Sequence, residues 1–278
     1  MNEKIGPYHV IDLPPGRRVW LNTLDMSWPA HAIYGLLEVD VTLPRRFIAE
    51  HKTRTRETLS FTGYLTYCLA RAVDEDKSVQ ACLKGRRQLV IFDNVDVGLM
   101  VEGKIGEKRA LMGHIIRCAN RKTYREIHDE IRKVQSEPMP ANRGMPNWFR
   151  SAMLLPWPLS GLVKVFFGMV TRRDPGILVS IAGTVEVTSV GMFGGGHSGW
   201  GLTPTGNSLG LVVGGTAWKP AIVEGRIEPR EILNLTVVFN HDVVDGGPAT
   251  RFVSRLVELI ESGIGLDTLQ VMSTNDAE

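Results

Sequence analysis

The apolar run Ile232 to Phe239 (ILNLTVVF) breaks off into Asn240-His241-Asp242-Val243-Val244-Asp245-Gly246-Gly247, and no other junction constrains the fold as tightly. A short run of this kind, bounded by turn residues, reads as a buried strand. Pro248 suits the first turn of a helix, Phe252, Leu256, Leu259 and Ile260 supply its apolar stripe, and Gly263 stops it. A buried strand followed at once by an amphipathic helix needs a sheet with helices packed on it. His241 then stands at the rim of that sheet.

Upstream, elements of both types alternate without an internal repeat. Gly35 to Val41 reads as a strand stopped by Thr42 and Pro44, and Arg45 to Arg56 as a helix with a basic outer side. Phe61, Leu65, Leu69 and Ala72 recur at helical spacing with Cys68 beside them, which places Cys68 in a core. Gln88 to Phe92 and Asp96 to Val101 read as strands, and Asp93-Asn94 predicts a hairpin between them. Thr123-Tyr124-Arg125-Glu126 is a capping box, opening a helix with Ile127, Ile131 and Val134 as its buried stripe. Glu137 to Arg150, rich in Pro, Gly and Asn, reads as a loop. The chain beyond this loop reads as strand-rich and closes with a single helix, too little for a core of its own. The expectation is one α/β domain over residues 1–278, a mixed sheet covered by helices, with an enlarged apolar connection at about 137–182.

Within that connection, Ser151 to Val170 (SAMLLPWPLSGLVKVFFGMV) approaches the ~20 residues of a membrane span. Pro156, Pro158, Gly161 and Lys164 suit a span poorly, and no stable one is expected. Core or pocket wall and an interfacial amphipathic element are the other two readings.

The 278 residues are 43% hydrophobic and 22% charged, too apolar for a disordered chain. A formal charge of +2 gives no basis for nucleic acid as a partner. Cys68, Cys82 and Cys118 lie far apart and suggest neither a disulfide framework nor a zinc ribbon, and Met1 to Asp12 does not read as a signal peptide. A reducing, cytoplasmic setting is expected. The seven histidines are scattered singly, so no metal is expected.

Thr184 to Val190 (TVEVTSV) alternates as a strand should, and glycines crowd the stretch from Gly191 to Gly215. Gly194, Gly196 and Gly199 match Gly-x-Gly-x-x-Gly, but Trp200 to Gly206 cannot open the helix that a dinucleotide needs there. Gly196-His197-Ser198-Gly199-Trp200 fails as a nucleophile elbow because Trp200 replaces the second glycine. The stretch reads instead as a wide turn, with Asn207 to Val213 as the return strand.

His241 is the residue best placed for chemistry. A side chain at a strand end is held by a rigid element yet can face a cleft, and imidazole suits acid–base work near neutrality. The plainer alternative is a surface histidine, with Asp245 capping the next helix. The motif resembles the His-x-x-x-Asp-Gly signature of the chloramphenicol acetyltransferase-like superfamily. More closely, the chain resembles the catalytic domain of the dihydrolipoamide acyltransferases of 2-oxo acid dehydrogenase complexes. Thr184 to Gly194 (TVEVTSVGMFG) is similar to that family's strand and turn. Pro204, Leu211 to Gly215, Lys219-Pro220 and Gly225 follow in the family's order. Val39 to Thr42 and the helix from Ser60 also match, and Tyr8 to Arg18 is similar to the start of the acetyltransferase branch.

The resemblance implies a two-layer sandwich and direct acyl transfer from a thioester, with coenzyme A entering as acyl-CoA substrate and no acyl-enzyme. It makes His241 the general base and Thr188 the hydroxyl that stabilises the oxyanion, with Ser189 the near alternative. Asp245 would be tied to Arg18 or Arg17 and, with Gly246, would fix the turn that aims His241. Active sites between neighbouring subunits of a homotrimer are also implied. No lipoyl-bearing hairpin precedes the catalytic part, so the acceptor would be a thiol such as dihydrolipoamide in trans, or a small-molecule hydroxyl or amine. Asn240-His241-Asp242 stands where the family reads Asp-His-Arg, which reverses a charge beside the base. The polar end Ser273 to Glu278 lacks an apolar anchor and predicts a trimer that goes no further. The stretch from Glu137 to Ala182, which includes Trp148, Trp157, Phe166 and Phe167, is expected to reshape the acyl or acceptor pocket or touch a lipid-like substrate, with plain added core as the alternative. The rival reading is a non-catalytic trimeric scaffold or binding module.

Overall fold

The computed structural model describes residues 31–105, 108–136, 147–156, 158–189 and 198–266, with a few positions before residue 26, Arg17 and Arg18 among them. Tyr8, Trp157, Gly191, Gly194, Gly196, His197 and the Ser273 to Glu278 end lie outside the described residues. Strand β1 (Ala32–Asp40) leads into helices α1 (Thr42–Thr55) and α2 (Phe61–Glu75). A short pair, β2 (Cys82–Lys84) and β3 (Gln88–Val90), precedes β4 (Val97–Ile105), β5 (Lys108–Ile116) and α3 (Tyr124–Ser136). Three helices come next, α4 (Asn147–Met153), α5 (Leu159–Arg173) and α6 (Pro175–Ala182). The chain then runs through β6 (Val185–Ser189), β7 (Leu209–Val223), β8 (Arg226–Asn240) and α7 (Gly246–Glu261).

Six strands form one mixed sheet in the order β1-β8-β7-β6-β4-β5, in which β6 lies parallel to β4 and β7. Helices α1, α2, α3 and α7 cover one face. Ile48, Leu69, Ile127 and Leu256 from them share a core with Val97, Val185, Leu211 and Leu235 from the strands. This is the two-layer α/β sandwich that the sequence predicts. Alternation assigns the faces, so Val185 and Val187 point to the helices while Glu186 and Thr188 point away. In β7 and β8 the alternation vanishes, and Leu209 to Val213 and Ile232 to Phe239 are buried on both faces. Part of the second cover is the chain at 198–200. The Gly199 carbonyl accepts the Gly215 N–H at 2.9 Å, and the Trp200 indole N–H reaches the Leu37 carbonyl at 3.0 Å. At Gly214 a Cβ would lie 2.3 Å from the Gly199 carbonyl, so only glycine allows this approach.

Several expectations hold. Cys68 is fully buried, and the capping box forms with the Thr123 N–H donating to Glu126 at 2.7 Å and the Glu126 N–H to Thr123 Oγ1 at 3.2 Å. Others are corrected. The hairpin across Asp93-Asn94 does not exist, because β3 pairs back onto β2 while β4 pairs with β5. Side chains have taken the backbone groups that such a turn would use. Gln80 Nε2 donates to the Phe92 carbonyl at 2.7 Å, Asn120 Nδ2 to the Asp93 carbonyl at 3.3 Å, and the Val95 N–H to Asn120 Oδ1 at 3.0 Å. Nor is β7 a return strand. It runs parallel to β6, and the wide turn expected over the glycines from Gly191 falls largely outside the described residues. Thr42 and Pro44 do not merely stop β1 but open α1, where a missing proline N–H costs no helical bond. Between α3 and β6 the described chain is helical, not strand-rich, with Pro156 and Pro158 separating α4 from α5.

Helix α5 buries Phe167 against Val19 and Met153 in a second small core. Among the described residues, no helix is long and apolar enough to cross a membrane. Helix α6 then delivers the chain to β6 over Gly98 of β4, where a Cβ would meet the Ala182 carbonyl at 2.3 Å. Gly98→Ala is therefore expected to force these elements apart and to cost about 1–3 kcal/mol. Urea unfolding of the two proteins measures it, and an unchanged midpoint would contradict the close approach.

Candidate active site

His241 follows directly on Asn240, the last residue of β8, in a turn pinned from several sides. Its N–H donates to the His31 carbonyl at 2.7 Å, and the Asn240 carbonyl accepts the N–H groups of Val243 and Val244, each at 3.0 Å. Asn240 Oδ1 accepts the Asp242 N–H at 3.0 Å, and buried Val244 anchors the turn in the main core. The His241 side chain is 46% exposed, and its Nδ1 lies 3.6 Å from Asp245 Oδ1, a distance for ion pairing but too long for a hydrogen bond. Asp245 is the N-cap residue of α7, yet its side chain makes no capping bond. It is free to face His241. Gly246 opens α7 with open space where a side chain would be.

A second imidazole stands beside the first. His31 Nδ1 lies 2.8 Å from Asp242 Oδ1, and His31, Ala32, Ile33, His241 and Asp242 line an open depression of about 510 Å³. Sequence reading passes over His31 because it stands 211 residues before Asp242 and carries no motif. The pairing turns the Asp242 carboxylate, the unusual neighbour of His241, toward His31.

Thr188 is half-buried on β6, on the sheet face away from the helices. It pairs with Val212, which pairs with Thr236, so the three form one row across the sheet. The Thr236 hydroxyl and both amide atoms of Asn234 are buried on that face without a hydrogen-bond partner among the described residues. Such groups cost roughly 1–3 kcal/mol each unless something pairs with them. Both were legible as polar residues at every second position of an apolar strand. Ser189 shares the face of Val187 and points toward the helix layer. Glu186, two residues before Thr188 on the same face, accepts a 3.2 Å bond from Thr205 Oγ1, and burial raises its carboxyl above the usual range.

One chain does not bring Thr188 and His241 together. His241 lies five positions beyond Thr236, roughly 16 Å along β8, and two strand spacings, ~10 Å, lie between β6 and β8. Nor does Asp245 meet the arginines expected to hold it. Arg18 donates to the Leu154 carbonyl at 3.3 Å, and among the described residues neither Arg17 nor Arg18 pairs with Asp245.

Glu57, His128 and Asp129 cluster closely enough to suggest a metal site. Their lone pairs are already committed. His128 Nδ1 accepts the Ser60 N–H at 3.0 Å and its Nε2 faces Glu57 at 3.2 Å, while Arg125 reaches Glu57 at 2.7 Å. Arg125 above all holds the Glu57 carboxyl down at about 2. This is a clasp between the end of α1, the start of α2 and α3.

The 2-oxoacid dehydrogenases acyltransferase (catalytic domain) family matches residues 6–139 and 181–266, and the chain belongs to that family. Its fold and family are those of an acyltransferase enzyme. Among solved structures it is similar to a probable dihydrolipoamide acetyltransferase from Listeria monocytogenes, at 18% identity over 93% of this chain and 96% of that one, with a TM-score of 0.65. It is also similar to the cubic core of the pyruvate dehydrogenase multienzyme complex, at 16% identity over 95% and 96% of the two chains, with a TM-score of 0.68. A third is the dihydrolipoamide acetyltransferase of Azotobacter vinelandii, in which a serine, a histidine and an asparagine have been investigated for their role in catalysis. That match has 18% identity over 95% and 96% of the chains and a TM-score of 0.68. No curated protein sequence matches significantly.

The raised Glu186 carboxyl has a measurable consequence. A carboxyl whose folded pKa is raised contributes stability that is complete below its unfolded value of about 4.3 and is lost as pH rises through the folded value. Glu186→Gln keeps an acceptor for Thr205 and removes the ionisation. In thermal melts between pH 4 and 8, the melting temperature of the variant relative to the native protein is expected to climb with pH. Parallel curves would show that Glu186 ionises freely.

Proposed function

We propose that the protein transfers an acyl group directly between a thioester, acyl-CoA or carrier-bound, and a thiol or a small-molecule hydroxyl or amine. The single observation that carries this reading is the pinned turn that presents His241, with Asp245 beside its Nδ1, at the end of β8 in a chain of this family. His241 takes the proton of the acceptor as it attacks the thioester carbonyl. The carbonyl oxygen becomes an oxyanion that accepts a hydrogen bond from the Thr188 hydroxyl. When the tetrahedral intermediate collapses, the carbon–sulfur bond breaks and the departing thiolate takes the proton back from His241.

Two groups nearly 20 Å apart in one chain serve one reaction only if they come from two chains, so we assign the site to a subunit boundary in a homotrimer. In the Azotobacter enzyme the asparagine stands four residues after the histidine, and Asp245 stands four after His241. The serine stands 52 before that histidine, the spacing of Ser189, while Thr188 stands one residue further. Thr188 also shares a sheet face with Asn234 and Thr236, whose side-chain polar groups have no partner among the described residues and would be satisfied by a substrate's amides and carbonyls.

His241→Ala is expected to lower thiol release from a panel of acyl-CoA donors by a factor of about 10² to 10⁴, and Thr188→Val by about 10² or more, with Ser189→Ala near native. Refolding His241→Ala chains together with Thr188→Val chains is expected to restore activity, because some mixed boundaries join an intact His241 to an intact Thr188. Equal thiol release by native protein and His241→Ala points to a scaffold. A mixture no more active than its parents rules out the shared site.

A further inference from the structure

The geometry points to a membrane-surface docking site on α5, in which the bare side of the helix lies in the interface of a bilayer carrying anionic headgroups. The inference does not depend on the role of His241. It starts from the break between the two family-matched blocks, which leaves residues 140–180 outside what the family shares. Helix α5 is the longest element in the described part of that segment. On its inner side, Val163 and Phe167 pack against Met153 and Val19. On the opposite side Leu162, Val165, Phe166 and Met169 follow the i, i+3, i+4, i+7 spacing of one helix face, and their exposures are 65%, 66%, 66% and 55%. Leu159 extends the stripe by a turn.

A helix apolar on all sides belongs in an interior, yet only one side of this one is covered. An exposed stripe of this kind marks an interaction surface. Charge selects the occupant. From Asn147 to Arg173 there is no Asp or Glu, against Arg150, Lys164, Arg172 and Arg173. Asp25 pairs with Lys164 at 2.8 Å, whereas among the described residues no carboxylate pairs with Arg150, Arg172 or Arg173. Two copies of this face would bring like charges together, so a second copy is disfavoured. Anionic lipid offers apolar depth for the stripe and phosphates for the arginines. The 15 residues of α5 extend only about 22 Å, too short to cross a bilayer's ~30 Å core. They suit a helix lying flat.

Purified full-length protein should be centrifuged with vesicles of phosphatidylcholine alone, and of phosphatidylcholine with phosphatidylglycerol, in low and high salt. Binding to the phosphatidylglycerol vesicles, weakened by salt, is the expected result. The double variant Leu162→Ser with Phe166→Ser is expected to bind about tenfold less or weaker still. Arg172→Gln with Arg173→Gln is expected to lose the preference for phosphatidylglycerol. All four side chains are exposed, so circular dichroism and melting temperature should match the native protein. Val165→Gln serves as the second probe of the stripe if the double variant melts early. Native protein that stays in the supernatant with both vesicles overturns the proposal. So does vesicle binding that neither stripe variant weakens, and so does a fall in solution mass when Phe166 becomes polar, which assigns the face to a contact between copies.

Discussion

Burial of the inner halves of β7 and β8 on both faces sets the conditions under which everything else in this chain is arranged. Each large side chain withdrawn from water there contributes about 1.5–3 kcal/mol, but only if both covers are present. The helix layer supplies one, and the chain around Gly199 supplies part of the other, at a separation so small that Gly214 tolerates no side chain. The reward is rigidity at the end of β8. A turn that starts from a strand clamped in this way, with its backbone groups bonded to Asn240 and to His31, leaves His241 little freedom to wander. Positional accuracy of this order is what a proton-transferring side chain requires.

The same clamped pair carries polar atoms it does not satisfy. Asn234 and Thr236 interrupt an otherwise apolar strand and face the side on which Thr188 lies. A purely structural strand would gain from valine at both positions. Their presence beside a half-buried hydroxyl and a half-buried Glu186 makes that face a polar strip inside an apolar sheet, which fits a surface that receives something other than its own chain. The imidazole and the hydroxyl stand at different places on the sheet, so on the proposed reading neither works until chains associate, and assembly and activity become one event.

Much of this was legible in the residues. The run from Ile232 with its break at Asn240, the stripe of α7 and the Thr123–Glu126 box are local signals, each set by a few neighbouring side chains. What escaped was non-local. Strand β5 begins Lys108-Arg109-Ala110 and shows no clear alternation, so the sequence does not reveal that β4 pairs with it rather than with β3. The direction of β7 relative to β6 is invisible to periodicity, since a strand reads the same whichever way it lies. His31 carries no motif, and its place beside Asp242 is created only when β1 pairs with β8. Asp245 shows the limit of a motif, since its order in the chain is clear while its partner is His241 and not the arginine expected for it.

The three helices between α3 and β6 raise the question of how a family domain accommodates so long a detour. Parallel pairing of β6 with β4 closes a loop that contains all of them, and the entropy lost on closing a flexible loop grows only with the logarithm of its length, about 0.6 kcal/mol for each doubling. The detour is fastened at two points. The Gly85 N–H donates to the Arg172 carbonyl at 2.8 Å, and Arg117 donates to the carbonyls of Val179 and Ser180 at 3.2 and 2.6 Å. With the end next to β6 tethered and closure so weakly dependent on length, this is a position where a lineage could lengthen, shorten or replace surface helices while the sheet beneath kept its register.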